Sequence, residues 1–210
     1  MNRDFHEFGK IARLSRECVI TEKIDGTNAQ IHIVVLPDDA VMPTDTPIIA
    51  ARPNPNDAGG EHTLLIYAGS RNRYLTVDAD NFSFAAWVRD NADALVALGP
   101  GRHYGEWWGS GIQRGYGLEK GDKRFSLFNT SRWTAENVPA CCSVVPVLYR
   151  GIFSTEPVGT VIERLRTRGS EASPGFMKPE GVICYHVAGN IYFKKTLEKD
   201  EEPKGKGRAV

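Results

Sequence analysis

Lys23-Ile24-Asp25-Gly26 is the first place in the chain where residue types and spacing suggest chemistry. It offers an amine, an acid two positions on, and a glycine that lets the backbone turn tightly. A lysine acts as a nucleophile only as the free amine, and an isolated one keeps its proton to a pKa of about 10.4. The four residues alone fit a solvated lysine at a turn equally well. Five further groups follow in order: Ser70-Arg71, Tyr104-Gly105-Glu106-Trp107, Arg124-Phe125-Ser126-Leu127-Phe128-Asn129, Pro179-Glu180-Gly181-Val182-Ile183 and Tyr192-Phe193-Lys194-Lys195. Other chemistries have less to work with. Cys18, Cys141, Cys142 and Cys184 show no CxxC spacing, and His32, His62 and His186 show no ligand spacing. Reduced thiols, with Cys18 and Cys184 inside apolar strands, are the expected state.

These groups need strands and turns to place them. Residues 17–36 read as two strands, because β-branched residues dominate both halves and Asp25-Gly26 supplies a turn between them. Lys23 is thus expected at a strand end beside a tight turn. Residues 37–60, rich in Pro, Asp, Asn and Gly, read as a long surface excursion. A short strand at 63–68 leads into the Arg71 segment. Asp80 or Asn81 can cap a helix running to about Leu98, where Gly99-Pro100 ends it. Strands are expected at 103–108, 124–129 and 144–149, then an amphipathic helix at 158–168, then a hairpin of 181–187 and 190–196 around Ala188-Gly189. Strands and helices mixed with hairpins predict an α+β fold.

The 210 residues, 23.2 kDa, suit one domain. With 41% hydrophobic and 25% charged residues the composition is globular, which excludes wholesale disorder. No apolar run reaches the roughly 20 residues of a membrane span, and the segment MNRDFHEFGK is unlike a secretion signal, so a cytoplasmic protein is expected. Lys plus Arg equal Asp plus Glu at 26 each, so a polyanion would be held by a local patch rather than by the net field.

Taken together over about residues 17–196, the six groups resemble, in order, the motifs of the covalent nucleotidyltransferase superfamily of polynucleotide ligases and capping enzymes. They are most similar to the RNA ligase 2-like family of ATP-dependent RNA ligases. The resemblance implies a nucleotidyltransferase, ATP-grasp-like ligase domain with antiparallel sheets flanking a nucleotide pocket. It implies Lys23 as the nucleophile that becomes lysyl-AMP, with Glu22 holding adenine through its backbone and Asp25-Gly26 in the same motif, Gly26 admitting the phosphate. Asn28 lies near the reacting phosphates, Arg71 binds phosphate, Glu106 accepts from the ribose hydroxyls and Phe128 stacks on the purine. Glu180 places magnesium or manganese, through metal-bound water. Lys194 and Lys195 stand at the last motif, as the cations that lower the pKa of Lys23 and stabilise the leaving pyrophosphate.

Two departures stand out. The family's aspartate after the stacking aromatic is Asn129 here, and its Lys-x-Lys becomes adjacent Lys194 and Lys195, which a strand points to opposite faces. Lys194 is the expected site lysine, with Tyr192 where the family's first lysine would be. Phe125 or Phe128 could equally be a core residue, and one of Trp107 and Trp108 could contact ligand. The catalytic domain is expected at 1–196, followed by a flexible charged tail at 197–210. RNA ends or a nicked duplex are the implied partners, DNA being an open alternative. The family's additional carboxy-terminal domain is not expected here, so an accessory protein could supply grip. The rival readings are a capping-type guanylyltransferase that takes GTP, a non-catalytic nucleic-acid end-binding module and, last, a metal-binding structural protein.

Overall fold

Strand β1 (Glu17–Lys23) has two different faces because its side chains alternate: Cys18, Ile20 and Glu22 are buried on one, while Lys23 ends the other. The structure, a computed structural model, describes residues 8–57, 62–198 and 200. The chain forms two compact units. One comprises the segment up to Lys23, Pro146–Glu171 and the chain from Met177 on; the other comprises Ile24–Val145 and Ala172–Phe176.

In the first unit, β1 lies in a four-stranded antiparallel sheet with β8 (Val147–Ile152), β9 (Gly181–His186) and β10 (Ile191–Thr196), in the order β10-β9-β1-β8. Helix α3 (Thr155–Arg168) buries Val161, Ile162 and Leu165 against Cys18, Ile20, Leu148, Val182 and Cys184. Pro157 and Glu156 in its first turn and Arg166 and Arg168 in its last suit the helix ends, and Gly169 stops it at φ 82°. Cys18 and Cys184 are buried free thiols facing this core. Burial, then the neighbouring Cys18, pushes the Cys184 thiol up to about 12.

In the second unit a six-stranded sheet runs β3-β4-β2-β5-β6-β7. Its members are β2 (Thr27–Leu36), β3 (Ala50–Pro53), β4 (Thr63–Ser70), β5 (Gly101–Gly109), β6 (Lys123–Leu127) and β7 (Cys142–Val144). All neighbours are antiparallel except β6 and β7. Ala29, Ile31 and Ile33 of β2, with Leu64, Ile66 and Ala68 of β4, pack on helices α1 (Phe84–Asp90) and α2 (Ala92–Leu95). A smaller core gathers Ile24, Trp108, Tyr116 and Val145.

The architecture is α+β, as expected, with four departures in detail. The strands on either side of Asp25-Gly26 form no hairpin, since β1 pairs with β8 and β9 while β2 pairs with β4 and β5. The helix at 81–98 breaks at Asn91, whose φ of −109° and ψ of 11° leave the helical region although its backbone amide still donates to the Trp87 carbonyl. Its N-cap position is Ser83, and Asp80, three residues earlier, accepts from the Ala85 and Ala86 amides at 2.8 and 3.0 Å. The strand at 144–149 divides at Val145-Pro146 into β7 and β8, which belong to different sheets; Pro146 has no amide to continue a ladder. The excursion at 37–60 contains one short edge strand, β3, closed by Pro53. Of the tail at 197–210, all but Leu197, Glu198 and Asp200 lies outside the described residues. No helix among the described residues is long and apolar enough to cross a membrane.

Candidate active site

Lys23 is the last residue of β1, and its register partner on β9 is Gly181. Glu180, directly before that glycine, therefore meets the lysine: Lys23 Nζ donates to Glu180 Oε2 at 2.5 Å. The glutamate is only 4% exposed. A carboxylate so poorly hydrated needs a cation, and here it has the ammonium of the candidate nucleophile. Gly181 is required by packing, since a Cβ there would run into the Lys195 carbonyl and the Thr196 backbone of β10.

Cross-strand register decides which lysine of β10 shares the Lys23 face. Glu22 pairs with Val182, and Val182 with Lys195, on the face covered by α3; Thr21 pairs with Ile183, and Ile183 with Lys194, on the face of Lys23. Lys194 thus lies on the Lys23 face, across one intervening strand, roughly 10 Å away laterally. Lys195 lies on the other face, where its Nζ donates to Asp200 Oδ2 at 2.7 Å. Tyr192, two residues before Lys194, also lies on the Lys23 face.

Glu22 is 1% exposed and points away from Lys23. Its carboxylate accepts from the Ser170 hydroxyl at 2.6 Å and the Glu171 amide at 2.8 Å, and its own amide donates to the Pro146 carbonyl. The side chain thereby clamps the end of β1 to the segment after α3, leaving any nucleotide contact to the backbone, as the motif implies.

In the second unit, Gly26 donates its amide to Glu106 Oε1 at 3.1 Å. A Cβ on Gly26 would collide with the Trp107 carbonyl and the Trp108 Cβ, so close approach to β5 by itself requires this glycine. Asp25 accepts from Arg114 Nε at 3.0 Å and donates its amide to the Tyr116 hydroxyl at 3.0 Å. Asn28 and Glu106 are direct cross-strand partners on the sheet face opposite the α1–α2 core. Phe128 follows β6, 40% exposed, and its amide donates to the Tyr104 carbonyl. Arg71 sits in an exposed turn after β4, and Arg73 donates to the carbonyls of Tyr74 and Ala79.

Several alternatives raised by the sequence are resolved. Phe125 is fully buried in the core and Phe128 is not. Neither tryptophan is available to a ligand: Trp107 packs in the main core, and Trp108, 1% exposed, donates to the Ser126 hydroxyl. Asn129 builds a turn, its Oδ1 accepting from the Ser131 and Arg132 amides, a task that needs an acceptor but no charge. Arg114, Tyr116 and Ser170 were not evident from the sequence. A signal existed for the first two, the glycine-rich run 109–121, where Tyr116 itself has φ 52°.

The donor set also bears on metal binding. Among the described residues no group of three or more His, Cys, Asp or Glu is arranged to hold an ion. Glu180 is a single carboxylate, which fits a magnesium-type cation that keeps most of its water.

No curated protein matches the chain. Solved structures do, and at this level of identity the likeness concerns the fold. A Naegleria gruberi RNA ligase variant with ATP and Mn is similar with a TM-score of 0.53 at 17% identity, over 90% of this chain and 52% of that one. A second variant of that ligase, with AMP and Mn, gives 0.53 at 18% identity over 90% and 53%. The chain thus spans about half the length of the ligases it matches. The family comparison reaches further than the fold: residues 16–197 match the RNA ligase family, and the chain belongs to it.

Proposed function

We propose that residues 1–196 form a nucleotidyltransferase domain that carries out ATP-dependent RNA ligation through a covalent lysyl-AMP. The observation that carries this reading is the Lys23–Glu180 pair on a sheet face shared with Lys194. Family membership and the ATP- and AMP-bound states of the Naegleria gruberi structures support adenylate as the nucleotide.

The roles follow from the chemistry of each group. Lys23 Nζ gives up its proton, with the Glu180 carboxylate in reach at 2.5 Å although its charge favours the ammonium, and attacks the α-phosphorus of ATP. An N–P bond forms and the P–O bond to pyrophosphate breaks, with Lys194 and Arg71 offsetting the charge that leaves. Glu22 meets adenine through its backbone, Glu106 receives the ribose hydroxyls, Phe128 stacks on the base, and Asn28 and Gly26 meet the phosphates. Asp25 acts through the backbone, held by Arg114 and Tyr116. A hydrated magnesium or manganese ion held by Glu180 would supply further charge neutralisation at the triphosphate. AMP then passes to the 5′-phosphate of an RNA end, and a 3′-hydroxyl displaces it to form the phosphodiester.

The proposed substrates are RNA ends or a nicked duplex. A net charge of zero gives little long-range pull on a polyanion, which favours an accessory protein that adds grip. Incubation with 5′-phosphorylated RNA, ATP and magnesium should yield a sealed product that is absent with Lys23→Ala and much reduced with GTP. Equal sealing with GTP would redirect the reading to a guanylyl-transferring enzyme.

A further inference from the structure

Strand β10 ends its sheet, and its first half is unusual for an edge. Ile191, Tyr192 and Phe193 are 47%, 69% and 48% exposed, whereas edges are commonly guarded by charge. Phe193 turns to the α3 side, where it lies near Phe153. Tyr192 turns to the Lys23 side and stacks on its cross-strand partner Tyr185, ring centroids 4.6 Å apart and planes at 27°. Tyr185 is fixed from beyond the strand, its hydroxyl donating to Asn190 Oδ1 at 3.0 Å, and Asn190 holds φ 47° at the hairpin turn. The outer ring thus rests on an anchored inner one and turns a broad flat surface to solvent.

The same face carries positive charge in line with the rings. Lys194 follows Tyr192 by one step of the strand alternation and is exposed, with no carboxylate partner among the described residues. Lys23 completes the line at the reacting end, roughly 16 Å from Tyr192 by strand spacing. A supported aromatic followed by cations that run toward a phosphoryl-transfer centre is the arrangement that holds single-stranded nucleic acid, bases on rings and phosphates on lysines. Charge complementarity selects this occupant over an apolar protein strand, because pairing along the edge would confront the partner with both Lys194 and Lys195.

We propose that the Tyr185–Tyr192 pair is a stacking platform for a base of the single-stranded RNA that presents its 5′-phosphate to the enzyme, a few nucleotides from that phosphate. This rests on the ligase reading and adds a substrate-strand contact at the position where the chain carries tyrosine in place of lysine. It also assigns Lys194 a second task, holding the intervening phosphates.

Fluorescence anisotropy with a 5′-phosphorylated RNA dodecamer at low salt tests the platform. Tyr192→Ala should weaken binding about tenfold or more, and Tyr192→Trp should preserve it, since stacking needs a flat ring and no hydroxyl. A 2-aminopurine base placed in turn at each of the first four positions should be quenched on binding at one of them, and Tyr192→Ala should abolish that quenching. Affinity within twofold of wild type for Tyr192→Ala, or no quenched position, would overturn the proposal. So would a wild-type dimer that Tyr192→Ala dissociates with RNA affinity unchanged, which would make the edge a protein interface. Failure of the ligase reading shows separately, as wild-type protein that forms no AMP adduct with ATP whatever its RNA affinity.

Discussion

Glu180 and Lys23 neutralise each other where water reaches neither freely, and that single contact explains much of the proposed chemistry. In the proposed reaction the group that holds the lysine in place is also within reach of its proton. Glu180→Gln keeps the shape and a hydrogen-bond acceptor but removes the charge. Adduct formation in a single turnover should then slow by about a hundredfold or more, within the range that positioned acid–base groups contribute; an unchanged rate would remove Glu180 from the reaction. Lys23 was legible in the sequence as a candidate, but its partner was legible only through resemblance, because 157 positions separate the two. Asn129 shows the converse. It reads as a lost charge in the sequence and as a satisfied turn in the structure, since local hydrogen bonds to the Ser131 and Arg132 amides decide its place. Gly26 likewise has a packing reason, the nearness of Trp107 and Trp108, that no local pattern reveals.

At the scale of elements, period-two alternation was the most informative signal. It separates Lys194 from Lys195 in the sequence alone, and the register of β10 on β9 then assigns Lys194 to the Lys23 face. Lys194→Ala should cut adduct formation by at least about tenfold, whereas Lys195→Ala should stay within about threefold, since it loses an exposed pair with Asp200 of the kind worth about 0–1 kcal/mol. The reverse ranking, in the same single-turnover assay, would mean that β10 pairs one residue out of register. Most strands and both helical regions could be read from β-branched runs, turn residues and apolar spacing. The misreadings arose where continuity in sequence hides a change of partner. Residues 144–149 look like one apolar strand, yet Val145 donates to Leu127 while the Pro146 carbonyl accepts from Glu22, each on its own sheet. Asn91 cuts the first helical region through its own backbone angles, φ −109° and ψ 11°, an effect too local for helical spacing to register.

For the molecule as a whole, pH enters through buried histidine. His103, 4% exposed on β5, has a ring nitrogen 2.9 Å from the Gly99 carbonyl, and burial, opposed by that bond and aided by Arg132, lowers its pKa. His32 shifts the same way, through burial first and then Arg102 and His103. A histidine whose folded-state pKa lies below its unfolded value of about 6.5 contributes full stability above that value, and loses it as pH falls from there toward the folded pKa. Urea unfolding should therefore show lower stability at pH 5.5 than at pH 7.5, with a smaller difference in His103→Gln. An equal or larger difference in the variant would assign the acid sensitivity to other groups. The chain leaves the Lys23 sheet at Ile24 and returns to it at Pro146. Composition and length suggested one domain and gave no sign of this division, because each unit is closed by segments distant in sequence.

In the proposed reaction Lys23 takes AMP from ATP. Intact mass of the purified protein after incubation with ATP and magnesium, beside Lys23→Ala treated identically, tests it most directly. A gain of one AMP is expected in the wild-type chain and none in the variant. Folded wild-type protein that gains no mass with either magnesium or manganese, or a variant that gains AMP all the same, would contradict it.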